Sequence, residues 1–237
     1  MQSIAEIAQA IQPGNNGNGS RDNEPRAIRA ATRTKLDSLD TSEPQVAYAV
    51  QQAREWAKRK RGGYMDTSMV LSGPFGTGKT HIAKAILWSI VDEVPGHPDS
   101  AVPAGRFYMA NDLLLRLGSI QDKSSGIVTP VRTSSLVGNA PIVIIDDVGG
   151  QQIIPFVAGP DQKHERHARY FRFIDYCYTD MVSVIMTTNL SIGGLELSDF
   201  AKHIGGRAFD RLAQMAPRGF MIGLDGVTSW RQKAGGR

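Results

Sequence analysis

The amino-acid sequence predicts an α/β fold in which a parallel sheet of five strands is flanked by helices. The first observation is a set of short, almost continuously apolar runs, which is typical of strands buried on both faces of a parallel sheet. The second is that helical periodicity occupies the segments between these runs, as parallel crossovers require. The expected strands are 68–72, 105–109, 141–145, 182–187 and 219–223. The expected helices between them are 79–92, 111–118, 164–178 and 206–213.

The first 45 residues have a different character, and we expect a flexible N-terminal arm at 1–45 before a folded domain at 46–237. The segment Ile4–Ile11 places apolar residues at i, i+3, i+4 and i+7, which predicts a short amphipathic helix. Residues 15–20 are asparagine, glycine and serine only, a composition typical of a linker. The short helix is either a partner-binding element or a frayed chain end.

A helix over residues 44–61 is expected before the first strand. It ends in the run Lys58-Arg59-Lys60-Arg61, and Gly62-Gly63 follow as a stop signal. Because the helix dipole favours cations in the last turn, this run is explained as a solvated helix end. The alternative is a contact with the phosphate backbone of DNA.

Composition restricts the class of protein. The formal net charge of +4 is compatible with a nucleic-acid partner but does not require one. The single cysteine, Cys177, rules out an internal disulfide and fits a reducing cytoplasm, which is the expected location. The first residues lack the basic and apolar regions of a secretory signal, and no run approaches the ~18 apolar residues of a membrane span. No membrane association is expected.

A glycine-rich loop follows the first strand directly. Residues 73–80 match the phosphate-binding pattern G-x-x-x-x-G-K-[ST] at every fixed position. In such a loop the backbone N–H groups and the N-terminus of the next helix face the phosphates of ATP. Lys79 is expected to reach the β- and γ-phosphates, and Thr80 to provide a hydroxyl to Mg²⁺. The residues predicted to bind ATP are Gly73, Pro74, Phe75, Gly76, Thr77, Gly78, Lys79, Thr80 and His81.

Two further strand ends carry polar residues to the same edge of the sheet, where open α/β sheets bind ligands. The apolar run 141–145 ends in Asp146 and Asp147. Asp146 is predicted to bind Mg²⁺, mostly through its water shell, and Asp147 to orient and polarise the attacking water. Asn189 follows the strand 182–187 and is predicted to hydrogen-bond that water or the γ-phosphate. For Asp147 and Asn189 the alternative is a role in a turn.

Several segments occur in an order that one family shares. They are Gly78-Lys79-Thr80-His81-Ile82-Ala83, Ala110-Asn111-Asp112-Leu113-Leu114, Ile145-Asp146-Asp147-Val148-Gly149, Thr187-Thr188-Asn189, Arg207-Ala208-Phe209-Asp210-Arg211-Leu212 and Ser229-Trp230-Arg231. They resemble the motifs of AAA+ ATPases, and in detail the GKTH[LI]A, IDDLG, R-x-x-D-R-L and S-Y-R of the DnaC/DnaI helicase-loader and IstB-like clade. The resemblance covers about residues 64–231. It implies a P-loop fold of the AAA+ type and Mg-dependent ATP hydrolysis.

The resemblance also implies roles for two arginines. Arg211 matches the arginine finger, which reaches the nucleotide of a neighbouring subunit, so a homo-oligomer is implied. Arg231 matches the sensor 2 residue, which contacts nucleotide from the C-terminal part. The alternative for Arg211 is a surface ion pair with Asp210. The residues predicted to be catalytic are Lys79, Asp147, Asn189, Arg211 and Arg231, and the metal ligands are Thr80 and Asp146.

Three features depart from the family pattern. Asp147 stands where many AAA+ proteins have glutamate, which is one methylene longer. About a dozen residues follow the last strand, so the C-terminal helical lid is expected to be minimal. The connection from Gly149 to about Arg169 is longer than in the clade, and its basic, histidine-rich part is either a DNA-facing loop or a solvated helix start.

The function that the resemblance implies first is an ATP-dependent loader that places the replicative helicase on single-stranded DNA. The Ile4–Ile11 segment would then contact the helicase. The alternatives are an IstB-like ATPase helper of DNA transposition, which assembles on duplex DNA, and a nucleotide-dependent DNA-binding scaffold with little turnover. A small-molecule kinase is disfavoured because Thr187-Thr188-Asn189 and Asp210-Arg211-Leu212 belong to the AAA+ pattern.

Overall fold

A five-stranded parallel sheet forms the centre of the computed structural model, which describes residues 34–62, 67–91, 105–121, 128–130, 132–150 and 161–230. The strands in chain order are β1 (Met69–Ser72), β2 (Arg106–Met109), β3 (Ser119–Gln121), β4 (Val128–Pro130), β5 (Ile142–Val148), β6 (Ser183–Thr188) and β7 (Met221–Gly223). The central sheet has the order β2-β5-β6-β1-β7, and all its neighbouring strands are parallel. This confirms the predicted fold class.

The helices of the described residues are α1 (Pro44–Arg61), α2 (Lys79–Val91), α3 (Ala110–Arg116), α4 (Thr133–Val137), α5 (Asp161–Thr179), α6 (Asp199–Ile204) and α7 (Gly206–Met215). The antiparallel hairpin of β3 and β4 and the helices α4 and α6 were not expected from the sequence. Each is too short for a periodic pattern to emerge. The basic, histidine-rich stretch before residue 169 lies in α5, so it is a helix start as expected. It is only partly solvated, because Arg166 and His167 bond to carbonyls of His203 and Lys202.

The core has two halves, one on each face of the sheet. Met69 and Leu71 of β1 pack with α1 and α2, whereas Val70 packs with α3, α5, α6 and α7. Successive side chains of a strand point to opposite faces, so a strand covered on both faces must be apolar throughout. This is the physical reason for the continuous apolar runs of the sequence.

The segment before α1 packs on the same core. Leu36, in a single turn of 3₁₀-helix at Leu36–Ser38, is buried with residues of α1 and α2. The expected helix at Ile4–Ile11 and the linker at 15–20 lie outside the described residues. Leu36 thus packs on the folded domain although it belongs to the expected arm at 1–45. The division of the chain at residue 45 itself stays a prediction.

The basic end of α1 packs partly on the domain. Arg59 lies over the ring of Phe220, 5.9 Å from its centroid, and Arg61 Nη1 donates to the carbonyl of Ser89 at 3.3 Å. Burial lowers the pKa of Lys60 to about 8. The run therefore ends the helix as expected, but it packs partly on the domain and is not fully solvated. The DNA interpretation stays a prediction.

Candidate functional site

The loop of residues 73–80, called the P-loop from here on, turns sharply between β1 and α2. Gly76 and Gly78 have φ angles of 80° and 91°, which favour glycine because a Cβ would clash with the backbone. The Thr77 hydroxyl donates to the carbonyl of Pro74 at 3.0 Å and so closes the loop on itself. Since α2 begins at Lys79, the free N–H groups of its first turn and its positive dipole end lie at this loop.

Lys79 is buried beneath the loop. Its Nζ donates to the carbonyl oxygens of Gly73 and Pro74, both at 2.7 Å. Burial lowers the pKa of Lys79, and the carboxylates of Asp147 and Asp146 oppose that shift. A buried ammonium group gains from a further anion nearby, so this side chain is suited to a polyphosphate.

Thr80 and Asp146 form a pair of oxygen donors. The Thr80 hydroxyl is 2.8 Å from Asp146 Oδ1 and 3.1 Å from Oδ2, and the Thr187 hydroxyl is 2.5 Å from Oδ1. Mg²⁺ prefers hydroxyl, carboxylate and water oxygens and needs only one or two protein ligands beside phosphates. The donor set therefore fits the predicted metal.

Asp147 lies at an irregularity of β5. The register with β6 shifts between Ile145 and Val148, and Asp147 has a φ of 60°, which is uncommon for a residue other than glycine. Its N–H donates to the Thr187 hydroxyl at 3.0 Å. In a regular strand Asp146 and Asp147 would point to opposite faces, but here both line one cleft. The irregularity is therefore what brings the two acids together.

Asn189 holds the carboxylate of Asp147. Its Nδ2 donates to Asp147 Oδ1 at 2.8 Å. Among the described residues its buried Oδ1 has no hydrogen-bond partner. A buried acceptor without a donor is costly unless water or a ligand satisfies it, so Asn189 is suited to orient a water beside Asp147.

A cleft of about 840 Å³ joins these groups. Its lining includes the polar side chains of Asp146, Asp147 and Asn189, and also Leu39, Val46 and other residues near the start of α1. The sequence-predicted residues that line it are Phe75, Gly76, Thr77, Gly78, Lys79, Thr80, His81, Asp146, Asp147 and Asn189. The lining residues that were not predicted are Thr34, Ser38, Leu39, Asp40, Val46, Ile82, Met109, Thr187 and Trp230.

Of the lining residues that were missed, Thr187 had a detectable signal, because it lies two positions before Asn189 at the same strand end. The residues near the start of α1 carry no motif. They reach the cleft only because α1 packs beside α2, which sequence spacing does not reveal.

Arg211 does not line this cleft among the described residues. Arg211 Nε is 3.0 Å from Asp175 Oδ1, and its guanidinium lies 4.9 Å from the ring centroid of Tyr178. The alternative role expected for Arg211 was an ion pair with Asp210. Asp210 instead accepts a hydrogen bond from Gln214. Arg231 lies outside the described residues, so its predicted role stays a prediction.

Comparison with known proteins identifies the family. Residues 63–212 match the family model of the IstB-like ATP binding proteins, which is well over half of the chain. The chain belongs to this family. A comparison of this IstB-like chain with curated protein sequences finds no significant match.

Solved structures show the same fold. The DnaC helicase loader is 20% identical, with 81% of this chain and 96% of that chain covered and a TM-score of 0.53. DnaI is 16% identical, with 81% and 90% covered and a TM-score of 0.55. AMPPCP-bound DnaA from Aquifex aeolicus is 15% identical, with 81% and 50% covered and a TM-score of 0.51. The predicted AAA+ type of P-loop fold is confirmed.

Neither the family nor the fold assigns a location in the cell. Among the described residues, no helix combines the length and the apolar character needed to cross a membrane.

Proposed function

We propose that this IstB-like chain hydrolyses ATP with the help of Mg²⁺. The observation that carries this proposal is the meeting of Thr80, Asp146 and Asp147 with Asn189 at one edge of the sheet, although they come from α2, from β5 and from the end of β6. A triphosphate in the P-loop would have its terminal phosphate beside these acids. No other group of described residues combines a phosphate loop with a metal donor set.

Each side chain has a separate task in this proposal. Lys79 binds the β- and γ-phosphates, and Thr80 with Asp146 holds Mg²⁺, which when bound neutralises phosphate charge. Asp147 accepts a proton from the attacking water, and Asn189 orients that water through its Oδ1. The side chain of Asp147 is one methylene shorter than the glutamate of many AAA+ proteins. The bulge in β5 offsets part of this difference, because it moves the Asp147 carboxylate into the cleft.

The test is phosphate release and nucleotide binding by the full chain, with Mg²⁺ or with EDTA. Lys79→Ala should abolish both binding and turnover, whereas Asp147→Asn should bind ATP normally and lose turnover by about a hundredfold or more. Lys84→Ala is the matched control, because Lys84 lies on the same helix but faces the ring of Phe107 at 4.9 Å. Normal turnover in Lys79→Ala or Asp147→Asn would refute the proposal.

We also propose that Arg211 acts in trans, as the finger of a neighbouring subunit. Arg211 is partly exposed and does not line its own cleft, which supports this because a finger must be presented to the neighbouring subunit. Arg211→Ala should lose turnover and keep ATP binding, while Arg207→Ala, on the same helix over Phe171, should keep both. Mixing inactive Arg211→Ala with inactive Lys79→Ala should restore activity, since one variant supplies an intact cleft and the other an intact finger. Full turnover in Arg211→Ala would exclude the finger.

For the biological task we propose loading of a replicative helicase onto single-stranded DNA. The fold shared with the DnaC helicase loader and DnaI supports it. The full chain should co-purify with the hexameric helicase of its host in a nucleotide-dependent manner, and a chain without residues 1–20 should not. If neither chain co-purifies with ATP, with ADP or without nucleotide, the loader proposal is wrong.

A second candidate is a helper of DNA transposition, favoured by the match to the IstB-like family model. It predicts ATP-dependent assembly on duplex DNA and no helicase binding. Fluorescence anisotropy with matched single-stranded and duplex oligonucleotides separates the two functions. DNA binding that depends on ATP without measurable turnover would instead favour a nucleotide-dependent scaffold.

A further inference from the structure

The segment that follows β7 crosses the outer side of the P-loop. This segment, residues 224–230, is called the strap. The N–H of Leu224 donates to the carbonyl of Ser72 at 2.7 Å, and the N–H of Trp230 donates to the carbonyl of Gly76 at 3.1 Å. Backbone hydrogen bonds therefore attach one end of the strap to the last residue of β1 and the other end to the P-loop.

The strap also fills the space beside the P-loop glycines. A Cβ on Gly76 would lie 2.2 Å from the Ser229 hydroxyl oxygen, and a Cβ on Gly73 would lie 2.9 Å from the Cβ of Leu224. Distances this short leave no room for a side chain. The glycines of the P-loop thus serve a second purpose, because they allow the strap to pack against the loop.

The start of α1 holds the strap from its other side. The Thr228 N–H donates to Glu43 Oε2 at 3.2 Å, and Val227 is buried in the same core cluster as Leu36 and Val46. Residues near the start of α1 and Trp230 of the strap both line the cleft. These lining residues are called the α1–strap wall of the cleft.

Sheet order fixes which end of a nucleotide meets this wall. The acids are on β5 and Asn189 follows β6, both on one side of β1, whereas the strap continues β7 on the other side. A nucleotide with its terminal phosphate at the acids must extend its ribose and base toward β7. Trp230, whose Nε1 is 3.9 Å from the Cβ position of Gly78, lies on that path.

We propose that the strap is part of the nucleotide site and that Trp230 contacts the ribose or base of the bound nucleotide. This inference rests on the proposed ATP binding. The indole offers a flat apolar surface, and stacking of a base on an aromatic ring strengthens binding without reading the base identity. Trp230 is thus a nucleotide-binding residue of the cleft rather than a participant in hydrolysis.

The experiment uses the full chain, unlabelled ADP and intrinsic tryptophan fluorescence. Contact between a base and an indole quenches emission over a short range, so ADP should quench the wild type and Trp88→Phe but not Trp230→Phe. Trp88 is the control because it is nearly buried in α2. By calorimetry Trp230→Ala should raise the Kd for ADP about tenfold, and Trp230→Phe, which keeps a ring, should stay within about threefold.

Two outcomes overturn the inference and are distinguishable. If wild type binds ADP, Lys79→Ala does not, and both Trp230 variants bind and respond like wild type, the strap inference alone is wrong. If wild type binds no nucleotide, or if Lys79→Ala binds it equally well, the proposed ATP binding fails as well.

Discussion

The hydroxyl of Thr187 provides the sharpest test of how the site is built. It donates to Asp146 Oδ1 at 2.5 Å and accepts the N–H of Asp147 at 3.0 Å, and Thr187 itself is buried. Thr187→Val keeps the volume of the side chain and removes both hydrogen bonds. A hydrogen bond to a charged group contributes about 1.5–3 kcal/mol, and an unsatisfied buried N–H costs about 1–3 kcal/mol.

Two features make the expected loss of stability smaller than the sum of these two contributions. The Thr80 hydroxyl still donates to Asp146, and Asp147 lines the cleft, where water would replace part of the lost hydrogen bonding. We therefore expect Thr187→Val to lower the free energy of unfolding by about 2–3 kcal/mol. It should also weaken Mg-dependent nucleotide binding, because the left-handed conformation of Asp147 loses its support.

Thr187→Ser is the matched control. It keeps the hydroxyl and removes one buried methyl group, which costs about 1 kcal/mol. Equilibrium unfolding in urea should therefore show that the wild type is the most stable, Thr187→Ser less stable and Thr187→Val the least stable. If packing rather than hydrogen bonding dominates at this position, the order of the two variants reverses, and that result would refute the reasoning.

Two further predictions concern residues outside the acids. Burial, with Arg166 and His167 nearby, lowers the pKa of His203 from 6.5 to about 4. The unfolded chain therefore binds this proton at higher pH, so stability falls as the pH drops through this range, by about 2 kcal/mol between pH 7 and pH 5. His203→Gln should make the free energy of unfolding, measured in urea, less dependent on pH between pH 7 and pH 5. The same pH dependence in the variant and the wild type would contradict this prediction. Gly149→Ala should destabilise the chain by about 2–4 kcal/mol, because φ is 105° and its Cβ would lie 2.5 Å from Leu190 Cγ. Gly194→Ala, with φ of 75° and open space, should cost about 1 kcal/mol, and equal losses in the two variants would refute the steric argument.

The sequence by itself determined the parts of this protein that depend on neighbours in the chain. The P-loop is contiguous, so its glycines, Lys79 and Thr80 reveal the phosphate site without knowledge of the fold. The apolar runs predicted a sheet covered on both faces, since burial on both faces leaves no polar positions. The family resemblance followed from the same local motifs.

The tertiary structure decided what depends on strand order and on backbone conformation. Asp146 and Asp147 line one cleft because of a bulge in β5, and Thr187 links them because β6 lies beside β5. Trp230 reaches the cleft because β7 lies beside β1. Such contacts join residues far apart in the chain, and no spacing in the sequence encodes which strands become neighbours.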